Sequence, residues 1–107
     1  MWLVTTRGFF STVAHRDRAD LVLVRARVRE DLESLSELVG PLEITHTPRR
    51  DYAFRAELPR ERWSAALGLL ADEIDYPNFK NAVADHQGYE RAGTYHRVWS
   101  ELTELQR

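Results

Sequence analysis

The chain has 107 residues, 43% hydrophobic and 30% charged, a composition that suits one globular domain with a core of ordinary size. The formal net charge of −2 argues against bulk electrostatic attraction to nucleic acid. Cysteine is absent, so disulfides, thiolate metal sites and cysteine nucleophiles are excluded.

The N-terminal MWLVTTRGFF lacks the basic start and long apolar centre of a signal peptide. No apolar run approaches the roughly 20 residues of a membrane helix, so a cytoplasmic location with no membrane partner is the expectation. GFFSTVAHR (8–16) is aromatic and β-branched and predicts a strand. DRAD (17–20) is a polar turn, and LVLVRARV (21–28) predicts a second strand that closes a hairpin with the first. Its alternation puts Val22, Val24, Ala26 and Val28 on one face and Leu21, Leu23, Arg25 and Arg27 on the other.

REDLESLSELVG (29–40) predicts a helix, with Glu30 and Asp31 in the first turn where acids suit the dipole. Leu32, Leu35, Leu38 and Val39 form its apolar stripe, Gly40 ends it and Pro41 forbids continuation. LEITH (42–46) predicts a short strand with Leu42 and Ile44 on one face. YAFRAEL (52–58) alternates strictly, with Tyr52, Phe54, Ala56 and Leu58 expected inward and Ala53, Arg55 and Glu57 outward. Pro59 opens a second helix carrying Trp63, Ala66, Leu67, Leu70 and Ile74, expected to end near Asp75.

The order strand, strand, helix, strand, strand, helix predicts an α+β fold: a ferredoxin-like β–α–β–β–α unit whose missing last strand is replaced by the N-terminal one. Four antiparallel strands with two helices on one face are expected, the first strand lying beside the second. A single domain, 1–107, is expected, with 1–75 as the sandwich and 76–107 as a helical tail packed on it.

That tail is interrupted. Pro77 biases Tyr76 away from helix, so Asn78 is a candidate N-cap, with Pro77 at the first helical position as the competing frame. Gly88 predicts a stop, and Ala92, Tyr95, Val98, Trp99, Leu102 and Leu105 form a broad apolar stripe beyond it. The result is a C-terminal helical hairpin, with the Trp99 indole expected to face the body of the protein.

EIDYPNFKNAVADHQGYERAGTYHRVW, VRARVREDLE and MWLVTTRGFF together resemble a family of small bacterial proteins. The elements that carry the resemblance are Asp75-Tyr76-x-Asn78-Phe79-Lys80 and Tyr95-His96-x-Val98-Trp99. It spans nearly the whole chain and implies no activity, cofactor or assigned site.

Three kinds of function are expected from the residues. The first is a non-enzymatic module that binds a protein partner or itself, as a homodimer, through the tail's apolar stripe. The second is nucleic-acid or nucleotide binding through Arg25, Arg27 and Arg55 on the sheet face away from the helices. Against it, LVLVRARV has no aromatic residue and YAFRAEL carries its aromatics on the inward set, while Leu21 and Leu23 invite the tail as a cover. The third is a small enzyme with a cleft between tail and sheet, using Asp75, Lys80 and His96. Tyr76 and Asn78 complete the candidate binding residues, although Asn78 and Asp75 also read as helix caps. His15, His46, His86 and His96 include no i, i+4 pair, so no metal site is expected. There is no P-loop, no Gly-x-Gly-x-x-Gly and no recognisable nucleophile context, so no cofactor or catalytic residue is assigned.

Overall fold

The computed structural model of the protein describes residues 1–106. They form two compact units, Met1–Ile74 and a second that begins at Asp75.

The first unit is α+β. Its strands are β1 (Trp2–Val4), β2 (Phe9–Ala14), β3 (Leu21–Ala26), β4 (Thr45–His46) and β5 (Phe54–Pro59). They form one five-stranded sheet, ordered β1-β2-β3-β5-β4, in which every neighbouring pair is antiparallel. As expected, β2 lies beside β3. The fifth strand, β1, was not expected. Three residues are too few to show an alternation, and β1 is secured instead by its ladder to β2 and by the chain terminus. The Met1 ammonium donates to the Thr12 carbonyl at 2.9 Å, and the Thr12 N–H returns to the Met1 carbonyl at 2.8 Å.

Helices α1 (Arg29–Val39) and α2 (Arg60–Asp72) lie together on one face of the sheet. Phe10, Val22, Val24, Ala26, Ala56 and Leu58 from the sheet meet Leu32 and Leu35 of α1 and Trp63, Ala66 and Leu70 of α2. Gly40 ends α1 at φ 94°, a conformation that glycine adopts without a Cβ penalty, and its N–H reaches the Ser36 carbonyl at 3.0 Å. Arg62 of α2 donates to the Pro41 carbonyl at 2.7 Å just beyond that end. Pro59 is the last residue of β5 and the N-cap of α2, so the helix begins one residue later than expected.

Two expectations need correction. The strand expected over 42–46 shrinks to Thr45–His46, because only these residues pair with β5. Leu42 and Ile44 still pack on the core, held by their side chains rather than by a ladder. The helix expected to end near Asp75 stops at Asp72, and Ile74, expected on its apolar stripe, is exposed beyond it.

Arg7, in the turn between β1 and β2, ties three parts of this unit together. Its guanidinium clamps the Glu73 carboxylate with Nε and Nη2 at 2.7 and 2.8 Å and donates to the Ser34 carbonyl at 2.7 Å. The hydrogen bond to Glu73, before all other influences, raises the Arg7 pKa above its ordinary value.

The second unit is a helical hairpin, α3 (Phe79–Gln87) and α4 (Tyr89–Leu102), followed by a 3-10 turn, Thr103–Leu105. Asn78 is the N-cap of α3, its side-chain oxygen accepting the Asn81 N–H at 3.0 Å, so the frame with Pro77 inside the helix is set aside. Gly88 divides the two helices at φ 94°. Among the described residues no helix is long and apolar enough to cross a membrane.

Candidate functional site

The sheet face turned away from α1 and α2 holds the most distinctive chemistry of the first unit. Strand register aligns Trp2, Ser11, Arg25, Arg55 and Thr45 across all five strands as direct partners. Because Val24, Ala26 and Ala56 point into the core, Arg25 and Arg55 point outward, and the outward set of β2 is Phe9, Ser11 and Val13. Two arginines directly opposite each other on an antiparallel pair repel, at a cost of about 0.2–1 kcal/mol.

The Asp51 charge offsets part of that repulsion at Arg55 from a distance. Among the described residues, none of Arg25, Arg27 and Arg55 makes an ion pair. Arg25 donates to the Ser11 hydroxyl at 2.7 Å, Arg55 to the Thr47 hydroxyl at 3.1 Å, and Arg27 to the Asp51 carbonyl. These are neutral acceptors, which orient the guanidinium groups without pairing their charge. Burial lowers the Arg55 pKa below its ordinary value, and the nearby charges of Arg50 and Arg25 lower it further.

Tyr52 corrects the expectation that it faces the helices. Its ring lies under the guanidinium groups of Arg25 and Arg27, whose central carbons sit 4.6 and 4.3 Å from the ring centroid. It also meets the Phe9 ring at 6.2 Å. The alternation of β5 does not reach back to Tyr52, because the ladder starts at Phe54 and the chain bends at Asp51 and Tyr52. The Asp51 carboxylate accepts the Tyr52 N–H at 3.0 Å and holds that bend. Tyr52 is therefore buried on the outer face, as a platform for two cations. Trp2 extends the aromatic patch edge-on to Phe9 at 5.8 Å and is itself 72% exposed.

Beside Arg55 the same face opens into a groove of about 500 Å³, with Leu21 and Leu23 among its lining residues and Arg18, Glu43 and Glu57 around them. His15 pairs with Glu57 at 3.0 Å, and Arg18 pairs with Asp20 at 2.6 Å.

In the second unit the expected site residues separate into two groups. Asn78 is committed to capping α3, and the Tyr76 ring packs on Phe79 at 5.9 Å. Asp75 is exposed and precedes the hairpin. Lys80 and His96 do come together, Lys80 Nζ lying 3.0 Å from His96 Nδ1. An ammonium only donates, so in this contact Nδ1 accepts and the imidazole proton sits on Nε2. Trp99 joins them, stacked on His96 at 5.4 Å with Lys80 5.3 Å from its centroid. Trp99 itself is 57% exposed. Among the described residues no three His, Asp or Glu side chains gather as a metal-binding group.

The sequence singles out Arg25, Arg27 and Arg55 by strand alternation alone. The first strand left two outward sets open, Phe9, Ser11, Val13 and His15 or its complement, and the register with Arg25 selects the set with Ser11. The outward place of Tyr52 and the role of Trp2 are missed, and the polar stretch 47–51 before Tyr52 was the one signal that its alternation could break. Comparison with protein-family models, with curated proteins and with solved structures finds no match to this chain.

Proposed function

We propose that the outer sheet face binds a phosphate-bearing ligand with a ring system, either a nucleotide or a stretch of single-stranded nucleic acid. One observation carries the reading: Arg25 and Arg55 stand directly opposite each other without an acidic partner. Stability alone disfavours that pairing, and an anion bound between the two would relieve it. Guanidinium forks suit phosphate oxygens, which they take two at a time. Arg25 and Arg27 are held in place by the Tyr52 ring, so little side-chain freedom is lost on binding. The exposed Trp2 ring offers a surface on which a base can stack.

The test is fluorescence anisotropy with a labelled single-stranded oligonucleotide, comparing the wild type with Arg25→Gln and Arg55→Gln. Each substitution is expected to weaken binding about ten-fold, the scale of one lost charge-assisted contact. Melting temperatures should hold, because each change also removes half of a repulsive pair. Equal affinity for all three proteins would remove the basis of the reading.

The fold is read in the same spirit as a ferredoxin-like unit with its last strand moved to the N-terminus and β1 added at the edge. The order β2-β3-β5-β4 and the shared face of α1 and α2 support it.

Self-association is a second reading, favoured by Val98, Trp99, Leu102 and Leu105, which are exposed in and just beyond α4. Light scattering should then report a dimer mass at micromolar concentration. A monomer mass across the accessible range would count against it.

A further inference from the structure

Arg55 borders two features at once. It is the partner of Arg25 across the sheet, and it lines the groove beside it. A phosphate held by the two arginines therefore leaves its attached ring next to that groove. The groove has half-buried Leu21 and Leu23 as apolar lining, and its volume of about 500 Å³ falls among those of small-ligand pockets. Two of its charged groups are already engaged: Arg18 pairs with Asp20, and the Glu57 carboxylate accepts a hydrogen bond from His15, whose Nδ1 accepts the Asp17 and Arg18 N–H groups. Glu43 is the lining carboxylate that makes no ion pair among the described residues. A carboxylate accepts hydrogen bonds and donates none, so it favours a ring edge that carries an amino group and repels one that carries a carbonyl.

We infer that this groove is the base subsite of the ligand and that Glu43 selects a base with an exocyclic amino group, so that cytosine is preferred over uracil; the inference rests on the nucleotide-binding reading above. Cytosine and uracil have nearly the same shape and differ at the edge a carboxylate reads. Cytosine presents its N4 amino donor where uracil presents the O4 acceptor.

The experiment titrates the full chain with CMP and with UMP, and separately with oligocytidylate and oligouridylate of equal length. Wild type and Glu43→Ala are compared; Glu43 is exposed, so the variant leaves the core untouched. The wild type should prefer the cytosine member by about ten-fold, the size of one base-edge contact, and Glu43→Ala should reduce that ratio towards one. Preference between the mononucleotides identifies a free nucleotide as the ligand, and preference between the oligomers alone identifies a strand. Equal binding of cytosine and uracil ligands by the wild type, or a preference that survives Glu43→Ala, overturns the inference and leaves the arginine-face reading intact. Failure of all four ligands to bind overturns both.

Discussion

At Gly8 an added Cβ would lie 2.5 Å from the Asp31 carboxyl carbon, far inside contact distance. Asp31 is buried in the first turn of α1, and its carboxylate accepts the Phe9 N–H at 3.0 Å. The glycine is therefore the condition for joining the start of β2 to the start of α1. Gly8→Ala forces one of the two to shift, and overpacking of this kind costs about 1–3 kcal/mol. A melting temperature lower by several degrees is expected in a thermal denaturation, and an unchanged transition would show that Asp31 moves aside freely. The arginines of the outer face are a contrasting case. They sit where like charges oppose each other, a placement that the stability of the sheet alone does not favour.

Among the elements, α3 shows how a local signal decides a boundary. Proline at position 77 and the Asn78 side chain set the helix start together, and Gly88 sets its end. Inside the hairpin, Phe79 and Tyr95 stack at 6.2 Å, while Val83 and Ala82 are buried. Trp99 contributes differently. Truncating a buried tryptophan costs roughly 3–5 kcal/mol, but a residue that keeps 57% of its surface in water has given up little of it. Trp99→Ala should cost about 1 kcal/mol or less, in line with surface positions that retain a ring contact and a cation above it. A thermal melt lowered by as much as a core substitution would contradict the exposure seen for the indole.

For the molecule as a whole, the net charge of −2 means that no long-range field draws nucleic acid to it. Binding through three arginines is then a local matter with a limited salt dependence. Each neutralised phosphate of a single strand contributes about −0.7 to the slope of log affinity against log salt. Three contacts predict a slope near −2, measurable by repeating the anisotropy titration across salt concentrations. A slope of about −5 or steeper would require a far larger basic surface than this face offers. A slope near zero would remove phosphate from the contact altogether.

Local patterning was sufficient for most of the fold. The alternation of 21–26, the stripe of Leu32 and Leu35, the Gly40–Pro41 stop, Asn78 and Gly88 each act over a few residues, and each appears where its chemistry requires. The strand expected over 21–28 ends at Ala26, because Val28 caps α1 and is exposed there. The α+β class and the β2–β3 pairing follow from those pieces. Tertiary structure decided what short segments cannot encode. Trp2–Val4 is a strand because β2 offers it an unpaired edge, and 42–44 is irregular because β5 pairs only with Thr45 and His46. The outer face shows both contributions. Alternation already put Arg25 and Arg55 on one side, but only the antiparallel register made them partners. Tyr52 changed sides at a bend outside the ladder, where two-residue periodicity no longer holds. Periodicity is a property of a hydrogen-bonded element, and it predicts a side chain's face only for residues whose backbone is held in that element.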